Sequence, residues 1–240
     1  MSEAFDRTTV GEIVSSDFRA AEVFERFGID FCCGGRQSVD EACRIAAVDP
    51  ALIREALRAL PPTEALPGDE ADWPLARLID HILTAHHEYL RSSIPMIARH
   101  LTKLAEVHGE RHPELLQVRV LFEEMARDLM QHMAKEERVL FPYIREIGAQ
   151  TVDPSWPCPF GTVENPIRMM EREHQQAGDE LRTMRELTNG FTVPGDGCAT
   201  YRVCFAELLH FERDLHRHVH LENNVLFPRA IEIERCTWRA

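Results

Sequence analysis

Residues 132–142 read HMAKEERVLFP, and residues 218–228 read HVHLENNVLFP. In each stretch a histidine is followed four residues later by a glutamate, and Val-Leu-Phe-Pro ends both in the same register. The two stretches are offset by 218 − 132 = 86 residues, and His87 and His174 by 174 − 87 = 87. The chain therefore repeats a unit of the form His, about 45 residues, His-x-x-x-Glu. Two such helical hairpins predict a four-helix bundle with approximate two-fold symmetry.

The spacing of apolar residues around these repeats indicates helices. Apolar side chains recur every three or four residues, and the alternation typical of strands is not convincing anywhere. We therefore predict an all-α chain whose larger part is an up-down four-helix bundle. Pro142 and Pro228 are expected to kink or end the helix after each repeat. The four long helical stretches are roughly 74–108, 113–147, 165–189 and 198–233.

Six polar residues interrupt the apolar faces of these helices. A buried imidazole or carboxylate costs several kcal/mol unless it is paired or binds a metal. In His-x-x-x-Glu both side chains lie on one face, one turn apart, so they can serve the same ion or adjacent ions. Four imidazoles and two bridging carboxylates suit two metal ions; iron, zinc, copper and manganese all accept these ligands, and charge balance favours a ferric pair. The alternative is a structural bundle in which the histidines pair with the glutamates. The six residues are His87, His132, Glu136, His174, His218 and Glu222.

Other polar residues near these positions are weaker candidates for binding the metal or orienting its ligands. His108 continues the first apolar stripe, but it lies 108 − 87 = 21 residues from His87, about 31 Å along a helix. It is interpreted as a helix-end residue, with an extra metal ligand as the alternative. Asp128 and Glu173 lie beside ligand positions and either orient imidazoles or are solvated charges. His86 and His220 fall off the stripes and are expected at the surface or flanking the site.

Domain boundaries follow from composition. Residues 61–74, PPTEALPGDEADWP, cannot continue a helix and predict a linker. Residues 1–60 predict a small helical domain, because Asp17, Ser38 and Asp49 are each placed to cap a short helix. Residues 75–240 form the predicted bundle.

Composition narrows the functional classes. A net charge of −13 over 240 residues disfavours nucleic acid and anionic membranes as partners. No signal-peptide pattern and no apolar run of membrane-spanning length is present, so we expect a cytoplasmic protein. Seven cysteines at irregular spacing indicate reduced thiols.

Two adjacent cysteines stand out in residues 29–38, IDFCCGGRQS. Neighbouring α-carbons are about 3.8 Å apart, too close for Cys32 and Cys33 to pair without distortion. Arg36 and the helix predicted to start at Ser38 should favour the thiolate form. We therefore predict two reactive thiols on a mobile loop, with apolar filling of a tight turn as the alternative; no other catalytic residue is assigned.

These motifs together resemble one family. The GIDFCCGG segment, the linker, the two His-x-x-x-Glu sets and LENNVLFPRA are similar over nearly the whole chain to the iron-sulfur cluster repair di-iron proteins, the ScdA/YtfE family. The resemblance implies an N-terminal ScdA-type domain, a hemerythrin-like bundle and a homodimer. It also implies two iron ions with oxo and carboxylate bridges, held by the same six residues. Cys158, between two prolines, departs from the family pattern and has no predicted role.

The resemblance also implies the function. Members of the family act in the cytoplasm and restore iron-sulfur clusters damaged by nitrosative or oxidative stress, and the expected partners are proteins with such clusters. Iron donation is the favoured mechanism for this chain. The alternatives are an enzyme that reacts with nitric oxide or nitrite, and a hemerythrin-like sensor that binds oxygen or nitric oxide.

Overall fold

The protein is described here by a computed structural model that covers residues 8–60, 70–149 and 160–237. Every regular element in these ranges is a helix, and the one β-bridge, between Thr9 and Ser38, is isolated. The all-α prediction is therefore confirmed. None of the helices in these ranges is long and apolar enough to span a bilayer. Cys158 lies outside the described residues.

The chain divides into two compact units. The first unit consists of Met1–Ile79, Ile144–Thr162 and Arg217–Ala240, and the second of Asp80–Tyr143 and Val163–His216. The predicted linker at 61–74 stays a prediction, since residues 61–69 are outside the described ranges.

Short, well-capped helices build the N-terminal part of the first unit. Thr9 forms a reciprocal capping box with Glu12, and Ser38 and Asp49 each accept a hydrogen bond from a backbone N–H of the helix that follows. Asp17 accepts the Arg19 N–H, but the next helix begins at Ala20 with Arg19 at its N-cap and no side-chain cap, so the cap predicted at Asp17 is not formed. The helices are α1 (Val10–Ser16), α2 (Ala20–Arg26), α3 (Val39–Ile45) and α4 (Pro50–Arg58), and their packed core includes Val10, Phe24, Val39, Cys43 and Ile53.

Long helices supply most of the second unit. Helix α7 packs against both α6 and α9, and the Phe122 and Phe211 rings meet edge to face at 5.4 Å. The predicted stripes are buried, as shown by Leu101, Val118 and Leu181 at 0 to 1% exposure. The elements after the short 3-10 turn Glu70–Asp72 are α5 (Leu75–His81), α6 (Glu88–His108), α7 (Glu114–Lys135), α8 (Phe141–Gly148), α9 (Glu164–Leu187), α10 (Ala199–His220) and α11 (Phe227–Thr237).

Three π-helical segments interrupt the long helices where predicted ligands lie. They are π1 (Ile82–His87), π2 (Glu136–Leu140) and π3 (Leu221–Leu226). The Phe141 N–H donates to the carbonyl of Glu136, and the Phe227 N–H to that of Glu222, each five residues back. The wider turn makes room for the proline that follows, whose ring would clash with the carbonyl four residues earlier in an α-helix. The helices continue through Pro142 and Pro228, so neither proline ends its helix, and the kink expected as the alternative stays a prediction.

Candidate metal centre

The second unit brings four of the six predicted ligands together. His87 ends π1, His132 lies in the last turn of α7, Glu136 begins π2, and His174 lies within α9. All four side chains are at most 2% exposed. His87 Nε2 and His132 Nε2 lie 3.5 and 3.3 Å from the same oxygen, Glu136 Oε2. His132 Nε2 and His174 Nε2 are 3.0 Å apart.

These separations fit metal donors better than a salt-bridged core. Charge-assisted N–H···O bonds are typically about 2.7–2.9 Å long, shorter than both contacts to Glu136 Oε2. One ligand atom from each of His132, Glu136 and His174 lies within 4.8 Å of the others. Imidazole nitrogen and carboxylate oxygen at this spacing form a donor set that suits a first-row metal ion.

Two carboxylates on the outer side of the imidazoles fix the direction of these donors. Glu137 Oε1 lies 2.7 Å from His87 Nδ1, and Glu173 Oε2 lies 2.9 Å from His132 Nδ1. A hydrogen bond donated by Nδ1 leaves Nε2 as the nitrogen with a lone pair, and in both rings Nε2 is the atom that faces Glu136. The outer carboxylates therefore select the tautomer that a metal requires.

Charges around these carboxylates keep them ionised. The hydrogen bond from His132, opposed by burial and reinforced by Lys135, lowers the pKa of Glu173 to about 2. Burial acts to raise the pKa of Glu137, but hydrogen bonds from Arg91 and His87 lower it below the usual value. Glu173 was among the predicted residues, whereas Glu137 was not. The only sequence signal for Glu137 is its position directly after Glu136.

The first unit holds the remaining two predicted ligands. His218 and Glu222 lie four residues apart at the junction of α10 and π3, and both are 0% exposed. His218 Nε2 lies 3.0 Å from Glu222 Oε1. The His-x-x-x-Glu spacing thus places a nitrogen and an oxygen next to each other in a buried environment, as the sequence predicts.

The two residues after Glu222 hold the cysteine loop. The Asn224 side-chain amide donates to the carbonyls of Phe31 and Cys32 at 3.3 and 3.0 Å, and the Asn223 amide donates to the Cys32 carbonyl at 3.3 Å. Gly35 lies against Asn224 so closely that a Cβ would stand 2.3 Å from Asn224 Oδ1. The loop is therefore fastened to the segment that carries Glu222, and the prediction of a mobile loop is wrong.

The environment of Cys32 does not favour a thiolate. Cys32 is 6% exposed, and its hydrogen bond to Cys33, its burial and the nearby Asp30 carboxylate raise its pKa well above the usual value. The predicted preference for thiolate is therefore wrong for Cys32. Cys33 is half-buried, and both thiols lie within 4.8 Å of an Asp30 oxygen.

Two histidines expected either at the surface or flanking the site are buried. His86 is 2% exposed, and its Nδ1 lies 3.0 Å from Asp214 Oδ1. His220 is 1% exposed and stacks obliquely on Phe31 at 5.8 Å. Burial lowers the pKa of His220 to about 4, so it is neutral where it packs. A surface position, one of the two expected for these histidines, is therefore wrong, because both helices are covered on more than their apolar stripes.

The remaining candidates have other roles. His108 is 4% exposed, and its Nε2 lies 3.3 Å from Cys198 Sγ. Asp128 accepts a hydrogen bond from the Gln176 side-chain amide at 3.3 Å. Among the described residues this partner is an amide and not an imidazole. Asp128 and Glu173 line a pocket of about 220 Å³ that also reaches His132 and Glu180.

The helical fold and the buried histidines and glutamates are those of a hemerythrin-like metal-binding protein. The family model "Hemerythrin HHE cation binding domain" matches residues 78–230, and the model ScdA_N, a "Domain of Unknown function", matches residues 6–61.

Similar proteins define the family more closely. "Iron-sulfur cluster repair protein YtfE" of Cronobacter sakazakii is 34% identical, covering 97% of this chain and 100% of that protein. The protein of the same name from Musicola paradisiaca is 35% identical, covering 94% of this chain and 97% of that protein. "Iron-sulfur cluster repair protein ScdA" of Staphylococcus haemolyticus is 33% identical, covering 93% of this chain and 98% of that protein. The chain belongs to this iron-sulfur cluster repair protein family, as its sequence motifs predict.

Proposed function

We propose that the six predicted residues bind two iron ions. The supporting observation is that His87 and His132, each paired at Nδ1 with a carboxylate, both direct Nε2 toward the buried Glu136. His218 and Glu222 repeat the same buried pairing in the other half of the duplicated sequence. With four neutral imidazoles and two carboxylates, the charge of a ferric pair is largely balanced once a bridging oxide is present. Bound iron would supply a redox-active and exchangeable metal.

The function that this site supports best is repair of damaged iron-sulfur clusters by donation of iron, which is here the cargo. The pocket beside His132 supports release toward solvent, because it is lined by Asp128, Glu173 and Glu180. Carboxylates are suitable transient ligands for a departing cation. Glu173 connects the proposed metal ligands with the pocket, since it contacts His132 and also lines the pocket. The proteins named as repair factors among the relatives agree with this function.

The cysteine loop is part of the proposal as a second, softer site. Asp30, Cys32 and Cys33 place an oxygen and two sulfurs within 4.8 Å of one another. Cys33 is the more accessible thiol. We expect a Cys32→Ser, Cys33→Ser variant to keep its iron and lose repair; unchanged repair would limit the two residues to packing.

The partners follow from the same chemistry. Proteins with damaged iron-sulfur clusters are the proposed acceptors, and the cytoplasm, where free thiols persist, is the proposed location. We also propose that the protein forms the homodimer implied by the family resemblance.

The decisive experiment mixes iron-loaded protein with a dehydratase whose cluster has been damaged. Recovery of dehydratase activity beyond that given by an equal concentration of ferrous salt supports donation. A His132→Ala variant should lose iron and repair together. His100→Ala is the matched control, because His100 pairs with Glu207 at 2.6 Å and has no proposed ligand role.

Two outcomes would overturn the proposal. Recovery no better than with ferrous salt would exclude donation. Consumption of nitric oxide over many turnovers, with no recovery of the dehydratase, would favour the enzyme alternative.

A further inference from the structure

A thiol and an imidazole meet in the second unit at residues that the metal centre does not use. His108 is the last residue of α6, and Cys198 directly precedes α10. His108 Nε2 lies 3.3 Å from Cys198 Sγ. Because His108 is 21 residues beyond His87, it lies about 31 Å along the helix from that ligand.

The imidazole is held in place for this contact. His108 is 4% exposed, and its ring meets Tyr201 edge to face at 5.5 Å. Its Nδ1 is buried and has no hydrogen-bond partner among the described residues. The thiol is thus the one hydrogen-bonding group toward which this ring points in the described part of the chain.

The charged groups nearby are engaged with one another. His112 Nε2 lies 3.0 Å from Asp196 Oδ1, and His112 Nδ1 lies 3.2 Å from Glu114 Oε1. Arg111 pairs with the other Asp196 oxygen at 3.1 Å. These contacts leave His108 as the imidazole that can exchange a proton with Cys198.

The thiol itself is accessible and activated. Cys198 is exposed, whereas Cys204, within α10, is buried. The backbone N–H of Tyr201, at the start of α10, lowers the pKa of Cys198 below the usual value. Burial instead raises the pKa of Cys204 to about 12. One of these two thiols therefore has the environment of a nucleophile, and the other that of a core residue.

We propose that Cys198 is an oxidation site at which hydrogen peroxide converts the thiol to a sulfenic acid, with His108 transferring the proton. The sulfur attacks one peroxide oxygen, an S–O bond forms, and the O–O bond breaks. Sulfur is oxidised and peroxide is reduced. The thiol proton moves to His108 Nε2 and then to the departing hydroxide, so that Cys198–SH and H2O2 give Cys198–SOH and water.

The charge of the chain selects among oxidants. Low-molecular-weight disulfides and nitrosothiols of the glutathione type are anionic, and a net charge of −13 disfavours their approach. Hydrogen peroxide is neutral and small enough to reach a thiol next to a helix end. Nothing in this step depends on the proposed repair function.

The test treats the full-length, metal-loaded protein with hydrogen peroxide, traps sulfenic acid with dimedone and locates it by peptide mass spectrometry. Cys236 is the internal reference, because it is also an exposed thiol. We expect Cys198 to be labelled about tenfold faster than Cys236. Equal labelling of the two residues would overturn the proposal.

The role of His108 is tested by the pH dependence of alkylation with iodoacetamide, which involves no peroxide and no iron-driven oxidation. In the wild type the alkylation midpoint of Cys198 should lie below that of a free thiol, about 8.5, and His108→Gln should shift it upward. A wild-type midpoint at or above that of a free thiol would overturn the proposal even if the His108 variant failed to fold. An unchanged midpoint in a folded variant would exclude His108.

Discussion

Replacing Glu173 by glutamine should weaken metal binding without disturbing the fold. Glu173 accepts a hydrogen bond from His132 Nδ1 at 2.9 Å and pairs with Lys135, and its pKa of about 2 makes it an anion at neutral pH. Glutamine keeps an oxygen that can accept the hydrogen bond from His132 Nδ1. It removes the negative charge, which makes the imidazole a stronger electron-pair donor to a metal. Loss of such an outer partner typically costs about 10- to 100-fold in metal affinity.

The size of the effect follows from what each substitution removes. The loss of iron affinity in Glu173→Gln should lie near the lower end of this range, at about tenfold or 1.4 kcal/mol. Glu173→Ala removes the acceptor as well and should approach about 100-fold. The assay is equilibrium competition for iron against a chelator of known affinity, followed at constant pH.

Glu180→Gln is the matched control for this experiment. Glu180 lies two turns further along α9, is half-buried, and lines the same pocket, but its described hydrogen bond is to Gln176. Iron affinity should therefore stay within about twofold of the wild type. Equal losses in Glu173→Gln and Glu180→Gln would show that affinity depends on the charge of the pocket and not on the hydrogen bond between Glu173 and His132.

Three further predictions concern other parts of the molecule. Asn224→Ala removes two hydrogen bonds to the cysteine loop, so alkylation of Cys32 in the native protein should rise about tenfold, whereas Asn165→Ala, on α9, should leave it unchanged. Because burial raises the pKa of Cys204 to about 12, native Cys204 should resist iodoacetamide up to pH 10; reaction at the rate of Cys236 would contradict this. Arg185→Ala leaves the carboxylate of Glu212, which is 4% exposed, without its bidentate partner. The free energy of unfolding should fall by about 2 kcal/mol in urea denaturation, against less than about 0.5 kcal/mol for the exposed Arg182→Ala.

The helices were predictable because their signals are local. Apolar residues at three- and four-residue steps define each long helix, and the caps at Ser38 and Asp49 lie where side-chain oxygens precede them. The repeated His-x-x-x-Glu pattern also placed its own residues correctly in buried turns, since spacing within a helix fixes which residues share a face.

Features that depend on tertiary neighbours were not predictable in this way. Glu137 meets His87 across 137 − 87 = 50 residues, and no periodicity indicates such a contact. Cys32 is buried through hydrogen bonds from Asn223 and Asn224, about 190 residues away. His108 is another example, since Cys198, its described partner, lies on a different helix end. The π segments had only an indirect signal, the proline that follows two of them.

The proposed iron centre is tested most directly by the metal content and absorption spectrum of protein purified from cells without added metal. We predict about two iron ions per chain, with the charge-transfer absorption of an oxo-bridged ferric pair, and loss of both in His132→Ala and His218→Ala. Zinc in place of iron, or the same iron content in those two variants, would contradict the binding of iron by these residues.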